Sequence, residues 1–297
     1  MRRIRQFLTG PRAAPYIFIS PFYLLWAVFG AFPIFYSIWL SFHKRINIFQ
    51  ARFVGWSNFT EIFYRDATIK AFYNVFWYVI VNDIAQVTLG LFFAVLINAA
   101  FVRLKGVFRA SYYIPNITSA VVTGILFSIF LERSGIINKV LGTQIPWLQS
   151  TLWAKPAVMM TVVWRWLGFW IVMFSAGLQN IPDDLYEAAS IEGANGFQKF
   201  TYITFPLLRP VTLFAIVINT IGALQLFAEP LVLFQTGGVA GGGPLNSATT
   251  PVLEIYKAGF RDFEIGFAAA LGWALAVLVI IATIAQMTLA RRRGWTG

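Results

Sequence analysis

Cysteine is absent, and histidine occurs once, as His43. Disulfides and thiolate metal sites are therefore excluded. His43 stands beside Lys44 and Arg45 with no second histidine to share a metal ion, and it has no acid at its depth to complete a nucleophilic triad. No catalytic residue and no metal site is expected. A G-x-x-x-x-G-K-[ST] phosphate loop is missing too. The glycine-rich "GGVAGGGP" lacks the following Lys-Ser or Lys-Thr and reads as a flexible loop, so the chain does not itself hydrolyse ATP. Charge is also scarce: Asp, Glu, Lys and Arg make up 12% of 297 residues, about half the fraction of a soluble domain.

What is present instead is hydrocarbon. The chain is 58% hydrophobic and 18% aromatic, with a mean hydropathy of +0.69. Too few charged side chains remain to cover a soluble surface, so the class is all-α integral membrane. The net charge is +11, and its basic residues cluster at the edges of apolar runs, as in "MRRIRQF" and "ARRRGW". That placement suits lipid headgroups and excludes a nucleic-acid stripe.

A helix needs about 20 residues to cross a bilayer. Six runs meet that length, at residues 16–41, 72–99, 107–131, 155–178, 207–234 and 264–290. The first is too long for a signal-peptide core and reads as a retained anchor. Pro21, Pro33, Pro115, Gly168 and Pro230 fall inside these runs and are expected not to end them, because neighbouring helices can satisfy the freed carbonyls. Six spans put both termini on one side. With the termini in the cytoplasm, inward segments hold twelve Lys and Arg and outward loops ten, and Lys44 and Arg45 are among the ten. This assigns residues 1–15 and 291–297 to cytoplasmic tails and 42–71 to an extracytoplasmic loop. It makes 179–206 a cytoplasmic loop within a core of 72–290.

That loop contains "DLYEAASIEGANGFQKFTYITFPLLRP". Pro182 suits a first helical turn, and Asp184 with Glu187 has capping-box spacing. Ala188 and Ala189 leave room for a partner's backbone. Gly193 and Gly196 then interrupt, Phe197, Phe200 and Ile203 form a second apolar set, and Pro206 marks the entry to the next span. The pattern predicts two short helices around a bend. It leaves open whether they dock a partner or pack on their own bundle, and whether Glu187 is a docking charge or a cap.

Ionisable and amide residues inside spans are costly and mark candidate sites. Asp83 and Arg165 both lie about 15–17 Å below the outer end of their spans, which predicts that they pair with each other or line a shared cavity. Asn82 and Gln86 share a face of the second span, and Asn219 and Gln225 mark the fifth. Such amides suit sugar hydroxyls and equally serve as glue between membrane helices. Glu229 is expected near the outer end, where water reaches it.

The motif "EAASIEG", with Ala194 after it and "ITFPLLRP" beyond, resembles the EAA loop of permease subunits of binding-protein-dependent ABC importers. "YYIPNITSAVV", "SGIINKVLG", "IPWLQS", "GGGPLNSAT" and "AGFRDFEIGFAAALGW" extend the resemblance along most of the chain, to the carbohydrate-uptake branch of maltose and glycerol-phosphate type. Extra glycines between Thr236 and Pro244, and Glu192 where the branch often has Asp, depart from it. The resemblance implies a type I importer permease fold with six transmembrane helices, in a bacterial or archaeal cytoplasmic membrane. It implies a second permease, in the family usually a different chain, two ATPase subunits that bind ATP and Mg, and an extracytoplasmic sugar-binding protein. This chain itself would hold no cofactor. Glu187, Ala188, Ala189, Gly193, Ala194, Phe200, Ile203 and Pro206 would form the ATPase-coupling loop. An importer of a non-sugar solute is left open, as is a secondary transporter, although no repeat between the halves supports the latter.

Overall fold

In the computed structural model of the chain, residues 14–45, 50–98, 104–236 and 241–295 are described. The basic N-terminal tail through residue 13, Ala99, Arg103, part of the glycine-rich loop (237–240) and residues 296–297 lie outside them.

Among the described residues, four helices are long and apolar enough to cross a membrane unbroken: Pro15–Ser41, Asp66–Asn98, Ala154–Gln179 and Ile265–Arg292. Two bent pairs bring the number to six when each pair is counted as one span. Gly106–Ile117 and Ala120–Phe130 meet at 96°, and Gly196–Leu207 and Arg209–Leu224 meet at 65°. The first span comprises α1 (Ala14–Trp26), a wide π turn at Ala27–Ala31 and α2 (Phe32–Ser41). None of its most apolar stretch is buried within the chain, so its phenylalanines and leucines face hydrocarbon or another subunit. Only the α2 end is tied down, against the last span, α15 (Ile265–Arg292), where the Trp273 indole donates to Ser37 Oγ at 3.2 Å.

The loops after the first and third spans are more structured than an all-helical reading expects. His43–Arg45 (β1) pairs antiparallel with Ala51–Phe53 (β2), and α3 (Ser57–Glu61) follows. Asn58 fastens this hairpin by donating to the carbonyls of Ser41 (2.8 Å) and His43 (3.1 Å). The His43 ring stacks on Trp39. In the loop after the third span, α7 (Ile136–Leu141) carries Asn138, which donates to Ile145 O at 2.9 Å and accepts from the Trp147 indole at 3.0 Å.

The bundle centre is α4 (Asp66–Asn98), which packs along α8 (Ala154–Gln179) and α12 (Arg209–Leu224). The span expected to begin at residue 72 thus starts six residues earlier. On its other flank α8 carries α5 (Lys105–Ile117), and the approach depends on Gly168: a Cβ there would lie 1.8 Å from the Tyr112 carbonyl oxygen. Since that oxygen is backbone, nothing can step aside.

The third and fifth spans do not run continuously, contrary to the expectation for Pro115 and Pro230. Proline removes one amide donor and crowds the preceding turn. The helix around Pro115 stops two residues later, Thr118 turns extended, and Ser119 caps α6 (Ala120–Phe130), its Oγ accepting from Val121 N. At the fifth span, Pro206 and Pro210 sit in the first turns of α11 (Phe205–Leu207) and α12, with the 65° bend between them at Leu208. A second interruption at Gln225–Phe227 precedes α13 (Ala228–Thr236). Pro230 falls in the first turn of α13, where its missing N–H has no partner to lose.

Candidate functional sites: a polar cavity and a helical turn

The interruption at Gln225–Phe227 opens a cavity of about 420 Å³ between α4, α8, α12 and α13. Asn82 from α4, Arg165 from α8, and Asn219 and Gln225 from the fifth span all line it. Tyr78, Trp166, Trp170 and Phe227 supply its aromatic walls. Four of the six in-span polar residues singled out from the sequence are therefore gathered at one place. Gln86 is fully buried away from it, with Nε2 aimed at Val162 O at 3.5 Å.

Arg165 does not pair with Asp83. Its Nη1 donates to Glu229 Oε1 at 2.6 Å, and its guanidinium lies 5.3 Å from the Trp166 ring centroid. Asp83 Oδ2 instead accepts from Thr220 Oγ1 at 2.9 Å, and Thr220 accepts from Gln286 Nε2 at 2.6 Å, joining α4, α12 and α15. The reason is helical phase: consecutive residues on α4 point about 100° apart, so if Asn82 faces the cavity, its neighbour Asp83 faces another helix. The expectation that Glu229 stands in reach of water is corrected as well, since it is only 4% exposed. Glu229 was missed as a cavity residue because the span was read as continuous. The signal available in sequence was Arg165 itself, a mid-span cation that requires an acid.

Several polar atoms around the cavity are buried without a hydrogen-bond partner: Asn82 Oδ1, Asn219 Nδ2, Arg165 Nε and Trp170 Nε1. A folded chain rarely leaves such atoms unmatched unless something else meets them.

At the opposite end, α9 (Asp183–Ile191) and α10 (Gly196–Lys199) form the two short helices expected of the cytoplasmic loop. Gly193 turns the chain between them with φ +81°, a conformation in which a side chain is strained. The capping box is not the Asp184–Glu187 pair. Pro182 is the N-cap of α9 with no side-chain cap, whereas Asn195 and Gln198 cap each other at α10, at 2.8 and 2.9 Å. Asp184 already lies inside the helix, past the N-cap position that Pro182 occupies. Glu187 is exposed and makes no ion pair or side-chain hydrogen bond among the described residues, which removes the cap from its two readings. Lys199 Nζ donates to Ser190 Oγ at 2.6 Å and the Tyr186 hydroxyl meets Thr204 Oγ1 at 2.9 Å, holding the two arms together.

Between the arms lies a cleft of about 470 Å³ lined by Ala188, Ala189, Glu192, Gly193, Ala194 and Ile203, among others. Exposed Ile191, Phe197 and Tyr202 add apolar surface on the same turn. Phe200 begins a wide π turn (Phe200–Thr204) that leads into Pro206. The inner faces of Tyr186, Phe200 and Ile203 pack on a buried cluster of Leu91, Ala94, Trp170, Phe174, Ile181 and Leu208. Trp170 belongs both to this cluster and to the cavity wall, so the two sites share a side chain. A polar cluster closes the same end of the bundle: Arg109 donates to Asn98 Oδ1 at 2.7 Å, and the Gln179 amide oxygen, turned toward it, accepts from Arg109 Nη1 at 2.9 Å.

Comparison with known proteins gives this architecture a context. The chain is 33% identical to the arabinooligosaccharides transport system permease protein AraP of Halalkalibacterium halodurans, across 97% of this chain and 90% of that protein. It is 32% identical to the lactose transport system permease protein LacF of Rhizobium radiobacter, across 94% of each. Its fold is similar to a chain of a bacterial alginate ABC transporter solved with an alginate pentasaccharide-bound periplasmic protein, at a TM-score of 0.82 and 22% identity, covering 99% of this chain and 97% of that one. Residues 86–295 match the family described as binding-protein-dependent transport system inner membrane component. With six apolar spans around a polar cavity and a helical turn at one end, the chain belongs to that family, the permease subunits of ABC importers.

Proposed function

We propose that this chain forms half of a transmembrane pathway for a sugar or sugar derivative and is driven by ATPase subunits that dock on the turn 183–207. The observation that carries the coupling is Trp170, which is packed at once in the cluster under the docking turn and in the cavity wall. Movement of α9 and α10 would reach the cavity through contiguous close packing. Glu187, Ala188, Ala189, Gly193 and Ala194 present the docking surface, and Phe200, Ile203 and Pro206 join it to the fifth span. Exposed Ile191, Phe197 and Tyr202 have the character of a partner-binding patch.

The sugar is supported by the relatives named for arabinooligosaccharides and lactose, at about one third identity over nearly the whole chain. The lining agrees: Asn82, Asn219 and Gln225 offer donors and acceptors to hydroxyls, and the aromatic walls offer flat apolar faces. Asp83 and Gln86 are assigned to holding α4 in place. In this reading both termini are cytoplasmic, the membrane is that of a bacterium or archaeon, and ATP and Mg are bound by the ATPase partners. A second permease, a different chain, closes the other half of the pathway, and a loaded sugar-binding protein delivers cargo from outside.

The test is to purify the complex and measure ATPase stimulation by candidate sugar-binding proteins, empty and loaded. Stimulation by a loaded sugar-binding protein is the expected result. Transport by this chain alone, without any ATPase, would overturn the proposal.

A further inference from the structure

We infer that this chain's half of the pathway is built for uncharged, hydroxyl-rich cargo, and that Glu229 enforces this by neutralising Arg165. The inference rests on the sugar-import reading above and narrows it. A free guanidinium in a water-poor cavity is a two-pronged site for carboxylates. Here one prong is filled from within the chain, Nη1 to Glu229 Oε1 at 2.6 Å, with the two side chains 18% and 6% exposed. Among the described residues that line the cavity, Arg165 and Glu229 are the charged ones. Asp83, the other acid deep in a span, is held by Thr220 on another face of α4.

The two charges cancel where both side chains are largely shielded from solvent. An acidic sugar approaching Arg165 would meet the Glu229 carboxylate as a like charge, or would have to displace it and leave it buried alone. A neutral sugar faces no such cost. Asn82 Oδ1 and Asn219 Nδ2, one acceptor and one donor, are both buried and without partners. Asn82 and Asn219 also line the cavity, and a hydroxyl group can donate to one amide and accept from the other, because it does both. Trp166, Trp170 and Phe227 border the same space and supply faces for the apolar side of a sugar ring.

The experiment uses the full importer in lipid nanodiscs and follows tryptophan fluorescence, to which Trp166 and Trp170 contribute, as sugars are added without the binding protein. The probes are neutral disaccharides (lactose, arabinobiose and cellobiose) and the acidic digalacturonate. The wild-type complex is expected to respond to at least one neutral disaccharide and not to digalacturonate. Glu229→Gln frees Arg165 and should bring a gain in digalacturonate affinity on the order of tenfold or more, the worth of one charge-assisted hydrogen bond. Adding Arg165→Gln to that variant should abolish the gain.

Digalacturonate binding to wild type as tightly as the neutral sugars would overturn the inference and leave sugar import standing. So would Glu229→Gln gaining nothing. A response to neither class would remove the sugar reading and this inference together. Where Glu229→Gln does not assemble, the wild-type comparison decides alone.

Discussion

Arg165 in the cavity finds its acid 64 residues away, on a different helix, whereas Asn195 and Gln198 in the helical turn cap each other three residues apart. The same contrast holds throughout the two regions. The cavity is defined by long-range partners: Asn82 beside the Asn219 carbonyl, Gly168 against Tyr112, and Thr220 between Asp83 and Gln286. The turn is defined by local chemistry, a left-handed glycine, a capping box and a Lys–Ser contact, and it leaves its outer face exposed. A pathway wall must hold its shape when the rest of the complex moves, while a docking element must keep its own shape and offer a surface. Damage should accordingly spread from the first and stay confined in the second.

That contrast can be broken most severely at Gly168. Gly168→Val places a methyl-bearing carbon where Tyr112 O now lies, so α5 and α8 must part. Purified protein should be obtained in low yield and cleaved by protease at the α5–α8 seam, and folding with normal transport would show that the close approach is unnecessary. Next is Arg165→Leu, which leaves Glu229 buried and unpaired at a cost of about 3–5 kcal/mol, read as a lowered Tm in detergent. Exchanging the two charges, Arg165→Glu with Glu229→Arg, should recover most of the loss. Exchanging Arg165 with Asp83 should recover none, and rescue by that second exchange would mean that the pairing is misassigned.

Gly193→Asp falls in the other region and should cost about 1–2 kcal/mol locally, the penalty of a left-handed side chain. Membrane insertion should stay normal while ATPase subunits co-purify less well. Asn195→Ala removes one half of the capping box for about 1 kcal/mol, visible as faster amide exchange over 196–199 with the cavity helices unchanged. Glu187→Lys should have the smallest effect on stability, within about 0.5 kcal/mol as expected of an exposed position. It should still weaken ATPase docking, and unchanged uptake in this variant would move the coupling surface elsewhere.

The six spans were legible because crossing a bilayer demands an apolar length that few other structures need, and runs such as 264–290 carry it in plain composition. The turn was legible for a related reason: its bend is made within a few residues, and Gly193 marks it by its type alone, although the Tyr186–Thr204 contact that also joins its arms spans 18 residues. What was not legible depends on phase and on interruptions. Asp83 and Arg165 stand at matching depth, but depth says nothing about the direction in which a side chain points, and one residue along α4 changes that direction by about 100°. The break at Gln225–Phe227 is marked only by Pro230 in the first turn of the next helix, and a proline does not say which way Glu229 will turn. Pro115 was visible, but whether a proline kinks or ends a helix was decided by Ser119, which caps the next one.

The cluster that holds Trp170 is made of leucine, alanine, phenylalanine and isoleucine side chains, and this fixes how salt should act on the complex. In the proposed mechanism, docking on the turn would involve an exposed carboxylate at Glu187, which ions screen over about 8–10 Å. Passage from the turn to the cavity would run through hydrocarbon in contact, which ions do not reach. Raising ionic strength should therefore reduce the number of engaged ATPase subunits while leaving sugar moved per ATP hydrolysed by each engaged complex unchanged, so that affinity and efficiency part company in a simple salt titration.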